Sequence, residues 1–228
     1  MSAVDTPNPA HLRESDPYKL GIGHGGGWHH AYATGRGEGG PASKRVVVGY
    51  GFWIFLLSDI IMFAGFFSAY AVLSNETAGG PAGRDLFDLR NTAIQTACLL
   101  ASSFTCGMAT LAVEQRSQKW TQIALLLTGL LGFAFLVLEV REFTALVGRG
   151  AGPTRSAFLS SFFTLVGCHG VHVTAGLLWL ATMMAQFLAK GFRQNIRHRY
   201  LCFSLFWHTL DIIWVALFSL VYLVGVVS

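Results

Sequence analysis

Five long apolar runs separated by short polar stretches dictate what this chain can fold into. Lipid offers no hydrogen bonds to a backbone, so a run of roughly 20 apolar residues, about 30 Å of helix at 1.5 Å per residue, reads as a membrane-spanning helix. The runs predict spans at 46–73, 91–113, 120–140, 156–189 and 200–227. Several exceed the minimum, which implies tilt or helix continuing past the lipid rather than further crossings. The expected fold is all-α, a polytopic bundle of five transmembrane helices filling 46–228.

Of the 228 residues 53% are hydrophobic and only 12% charged, and the charges lie almost wholly outside the runs. The formal charge of +4 therefore describes loops at lipid headgroups and excludes a nucleic-acid surface. Eleven of the 16 Lys and Arg, all four lysines among them, fall before the first run and in the second and fourth loops. Basic loops stay on the cytoplasmic side, which predicts a cytoplasmic N terminus and an outward C terminus.

Residues 1–45 have no basic start followed by an apolar stretch, so no cleaved signal is expected, and Val46 onward must direct insertion. This stretch is Gly-rich around His24, His29 and His30, too polar to order itself by burial, and reads as a flexible tail. Cys98, Cys106, Cys168 and Cys202 all lie inside apolar runs without CxxC spacing and read as small buried hydrophobes.

The loop ends are legible too. Gly79 to Gly83 breaks the chain after the first run, Asn91 is placed to cap the second, Gly150 to Pro153 precedes the fourth, and Gly191 follows it. Gly65 with Ala69, Ala64 with Ser68, and Gly129 with Gly132 offer small faces for close helix approach.

Polar side chains near the middle of the runs carry the functional signal. Asp59, the pair His169 and His172, and the pair His208 and Asp211 with Trp214 nearby all sit close to a midpoint, where an ionisable group turns away from lipid toward a partner. Spacing of three residues places each pair on one helical face. Asp59 is expected to hydrogen-bond a histidine of the fourth span, His172 first, bolting the two helices together. Glu139 and Glu142 end the third run, where surface ion pairing with Arg141 or Arg149 is the expectation. Haem ligation by the paired histidines and a proton relay through Asp59, His172 and Asp211 are the sharper readings; interhelical hydrogen bonding is the plainer one.

Four blocks occur in order: Phe52-Trp53-Ile54-Phe55-Leu56-Leu57-Ser58-Asp59, Thr77-Ala78-Gly79-Gly80-Pro81, His169-Gly170-Val171-His172-Val173, and Phe206-Trp207-His208-Thr209-Leu210-Asp211-Ile212-Ile213-Trp214. Together they resemble subunit III of the haem-copper respiratory oxidases over about 46–228. Five spans, with Gly152-Pro153-Thr154-Arg155-Ser156, most resemble the branch found in cytochrome bo type ubiquinol oxidases; some bacterial cytochrome c and menaquinol oxidases also have five. The resemblance implies a bacterial inner-membrane complex in which subunit I holds the haems, copper and quinol. This chain would then be non-catalytic and free of metal and redox cofactor. It would pack directly on subunit I, join subunits II and IV, bind phospholipid and support proton uptake. Asp59 stands where many seven-span relatives carry a glutamate. Glu142, His169, His172, His208, Asp211 and Trp214 stand where the family has the same residue types, and Glu139 has no glutamate counterpart in the seven-span branch. The alternative to a complex subunit is an independent membrane proton carrier.

Overall fold

A computed structural model describes residues 44–80, 86 and 88–227. The expected tail, with His24, His29 and His30, lies outside the described residues except for the backbone of Lys44 and Arg45, as does the Pro81–Gly83 part of the first loop. Five helices in it are long and apolar enough to cross a membrane. They are α1 (Lys44–Leu73), α2 (Leu89–Glu114), α3 (Gln118–Gly148), α4 (Ala157–Lys190) and α5 (Gln194–Leu217). A π-helical segment, Phe218–Leu223, prolongs α5, and a last turn, Val224–Val227, follows.

The ends obey local chemistry. Asp88, rather than Asn91, caps α2: its carboxylate accepts from the amides of Arg90 at 3.0 Å and Asn91 at 3.4 Å. The Ser156 hydroxyl caps α4 by accepting from the Leu159 amide at 3.2 Å. Gly191 stops the same helix at φ +64°, a backbone conformation cheap only for glycine. Two helices outrun expectation. α3 continues through Glu139 and Glu142 to Gly148, because nothing between Val140 and Gly148 breaks a helix. α5 begins six residues early, carrying Arg197, His198 and Arg199 beyond the apolar run.

Among residues from Gly51 onward, α2, α3, α4 and α5 form a ring in which each helix packs on the next and α5 closes back on α2. Trp207 fixes the ring's spacing. A Cβ on Gly132 of α3 would lie 2.9 Å from its indole, and one on Gly176 of α4 would lie 2.8 Å from it. The ring nitrogen meanwhile donates to Ser102 of α2 at 2.9 Å. One α5 side chain thus touches all three other helices, and two positions must be glycine for it to fit. Gly129 serves similarly against Leu180, where a Cβ would come within 3.3 Å.

From Gly51 on, α1 lies against α4 through aromatic rings. Phe52 meets Trp179, Phe63 meets His169 and His172, and Tyr70 meets Phe158, with centroids 5.4 to 6.4 Å apart. Phe52, Leu56, Asp59, Phe63, Phe66 and Tyr70 recur every three or four residues and form its inward stripe. The small residues Ala64, Gly65, Ser68 and Ala69 face outward instead, so α1 does not use them to approach the bundle.

Candidate functional site

Polar side chains form a seam through the whole depth of the ring, chiefly between α2 and α5. At the end where α3 begins, Thr110 and Tyr200 hydroxyls meet at 3.2 Å, and Tyr200 donates to the Cys106 carbonyl at 3.0 Å. Midway, Ser103 meets His208 Nδ1 at 2.7 Å. Alongside, Thr105 and Thr128 join α2 to α3 at 2.8 Å. Further along, Trp214 Nε1 donates to Thr96 at 3.0 Å.

Where α3 ends, Glu142 gathers donors from two elements. Its Oε2 accepts from Gln95 Nε2 at 2.9 Å and Asn91 Nδ2 at 3.2 Å, and the Tyr222 hydroxyl is a further hydrogen-bonding partner. Asn91 and Gln95 are four apart, hence on one face of α2. Tyr222 reaches inward from the π-helical segment, whose wider turn shifts the register of the last residues relative to Trp214.

This arrangement replaces the expected surface ion pairs. Glu139 is only 3% exposed, its carboxyl lodged where a Cβ on Gly170 would sit 2.7 Å away, and neither of its oxygens has a hydrogen-bond partner. Among the described residues, no ion pair joins Glu139 or Glu142 to Arg141 or Arg149. Both arginines are instead exposed and, with Asp88, Asn91 and Glu142, line a cleft of about 290 Å³ between the start of α2 and the end of α3.

The two histidines of α4 have different surroundings. His169 is fully buried, its ring against Trp214 at 5.1 Å and Phe135 at 5.8 Å, with both nitrogens unpartnered. His172 is half-buried, and its Nδ1 is engaged by the Cys168 carbonyl of its own helix at 2.8 Å. The predicted Asp59 to His172 hydrogen bond is therefore not present among the described residues. Asp59 does point toward α4, close enough to Cys168 to act on it electrostatically. Asp211 is buried near enough to Ser103 for that hydroxyl to act on its carboxyl, but neither enclosed oxygen has a hydrogen-bond partner at bonding geometry.

Glu142, His208 and Trp214 are thus brought into interhelical hydrogen bonds, whereas Asp59, His169, His172 and Asp211 are not. Sequence reading missed Asn91 and Gln95 as ligands of Glu142, Ser102 as the acceptor for Trp207, and Ser103 as the partner of His208. The i, i+4 amides and the adjacent hydroxyls inside an apolar run were the available signal. Among the described residues, no three His, Cys, Asp or Glu side chains cluster as metal ligands would.

A five-helix membrane bundle closed by a polar α2–α5 seam, with the blocks at 52–59, 169–173 and 206–214 inside its helices and the block that begins at Thr77 in the loop after α1, defines the class. The family described as cytochrome c oxidase subunit III matches residues 30–226, and the chain belongs to it. Among relatives, it is 49% identical over 176 residues to the cytochrome bo(3) ubiquinol oxidase subunit 3 of Pseudomonas aeruginosa, covering 77% of this chain and 84% of that protein. It is 41% identical over 175 residues to the quinol oxidase subunit 3 of Bacillus subtilis, covering 77% and 86%. It is 40% identical over 178 residues to the cytochrome c oxidase subunit 3 of Bacillus sp. (strain PS3), covering 78% and 86%.

Proposed function

We propose that this chain is the non-catalytic subunit III of a proton-pumping ubiquinol oxidase in a bacterial inner membrane, where the complex couples quinol oxidation to reduction of oxygen to water. The 49% identity to a relative named for ubiquinol oxidation carries the choice of donor. The structural role is supported by how Glu142, His208 and Trp214 are used: each makes a side-chain hydrogen bond to a neighbouring helix. Haems, copper and quinol then belong to subunit I, on which this chain packs, with subunits II and IV completing the assembly. The distribution of Lys and Arg supports a cytoplasmic N terminus, with the Arg141 and Arg149 cleft then at the periplasmic boundary. Paired guanidinium groups there suit a phospholipid headgroup.

Purification through a tag on this chain tests the reading. The expected product is a haem- and copper-containing complex that consumes oxygen with ubiquinol as donor. Oxygen uptake with reduced cytochrome c but not with quinol overturns the donor. A stoichiometric haem band on the isolated chain, lost on His169 or His172 substitution, overturns the non-catalytic role.

A further inference from the structure

Half-buried polar atoms occupy the face shared by α2 and α5 at the middle of the membrane. His208 stands at the centre of the span Gln194–Leu223 and Ser103 at the centre of Leu89–Glu114. His208 Nδ1 is taken by Ser103, but Nε2 has no hydrogen bond among the described residues and is not an enclosed atom. Ser204 lies one turn away on α5, and Gly107 and Thr110 continue the α2 wall of the same groove; all are half-buried.

Hydrocarbon at this depth supplies no partner for an imidazole nitrogen, and leaving one exposed to it is costly. The outward face of α3 at comparable depth looks different. It presents Leu126, Leu130, Phe133 and Val137, all exposed and apolar, as a lipid-facing surface should. The α2–α5 groove is therefore built for protein, and a Cβ on Gly107 would meet no atom within 4 Å, leaving room for another helix to come close.

We infer that the α2–α5 groove seats a transmembrane helix of another subunit, which sets a hydroxyl or carboxamide side chain against His208 Nε2. Those two groups both donate and accept, so either tautomer of a histidine held at Nδ1 is satisfied. The inference rests on the subunit reading above and adds the face and the chemistry of the contact.

Photo-crosslinking in intact membranes decides it. Leu100, 49% exposed on the groove wall, and Leu130, 58% exposed on α3, are each replaced by p-benzoylphenylalanine in the full chain. The expected result is an adduct from Leu100, and none from Leu130, to a membrane-spanning peptide of a different oxidase subunit, within a turn of a Ser, Thr, Asn or Gln. Gly107→Leu, whose first added carbon meets no atom of this chain within 4 Å, narrows the groove and should cut that adduct about tenfold, and cut the amount of the other subunit recovered with this chain similarly. Adducts to lipid only, adducts to a second copy of this chain, equal yields from Leu130, or indifference to Gly107→Leu each overturn the inference. If the other subunit is still recovered while the Leu100 adduct is absent, the groove assignment falls and subunit membership stands; if no oxidase subunit is recovered with the unsubstituted chain, membership itself falls.

Discussion

α1 and the α2–α5 ring solve the same problem by different means. From Gly51 onward α1 makes no hydrogen bond to another transmembrane helix among the described residues; Ser58 and Ser68 bond to carbonyls of their own helix. Only 11% of its apolar window is buried, against 56% for α5. The ring is tied by hydrogen bonds at several depths and by glycines that admit Trp207. Lipid tails are as apolar as the helices, so burial alone drives little association in a membrane, and fit and polar pairing set its strength. The ring therefore behaves as one body, and α1 as an attached helix held by ring stacking.

The largest expected effect tests the ring's fit. Gly176→Val puts a methyl group at the Trp207 indole, already 2.8 Å from the first added carbon, with helix backbone behind it. A loss of about 3 kcal/mol is expected, read as unfolding in mixed micelles or as failure to accumulate. Gly65→Val on α1, where an added Cβ meets nothing within 4 Å, should change stability by less than about 0.5 kcal/mol. Equal effects would erase the distinction between the two regions.

Next comes the polar pairing. Glu142→Ala leaves the side-chain amides of Asn91 and Gln95 without their acceptor and should cost about 2 kcal/mol, while Glu142→Gln, which keeps an acceptor oxygen, should recover most of it. The same unfolding titration, followed by tryptophan fluorescence, separates the two variants.

Aromatic attachment of α1 should be weaker. Phe63 is 1% exposed and touches both α4 histidines, yet acyl chains can fill the space it leaves. Phe63→Ala is expected to cost about 1 kcal/mol. Its signature is a broadened distance distribution between spin labels on α1 and α4, with α2–α5 distances unchanged.

Much of this contrast was legible in the sequence, and the residues that were not share a reason. Span number and the small faces of Gly129 and Gly132 follow from hydropathy and spacing, which report on each helix singly. Which of several small faces turns inward depends on the partner: Gly132 meets Trp207, while Gly65, equally small, meets nothing. Glu139 and Glu142 looked like interfacial charges because an apolar run stops at Val140; the helix does not stop there, and α2 brings two amides to Glu142. Tyr222 enters this cluster through a π turn, whose shifted register a 3.6-residue period does not anticipate. Asp59 lies close enough to α4 to act on Cys168, but the histidine expected to bond it finds its acceptor one turn back along its own helix.

That misassignment yields the smallest and most discriminating prediction. If α1 were bolted to α4 by an acid–imidazole bond, Asp59→Asn would weaken a charged interaction and destabilise the bundle by more than about 1 kcal/mol. With His172 Nδ1 committed to the Cys168 carbonyl and Asp59 half-buried without a hydrogen bond, the near-isosteric change should leave the unfolding midpoint of the isolated chain within about 0.5 kcal/mol. A consequence of the acid would then surface only in the assembled complex, where yield and oxygen turnover per haem can be measured separately on the same preparation. Lowered yield with normal turnover assigns Asp59 to a contact with another subunit; normal yield with lowered turnover assigns it to proton supply. A destabilised isolated chain would place a polar rung between α1 and α4 and make the two regions alike.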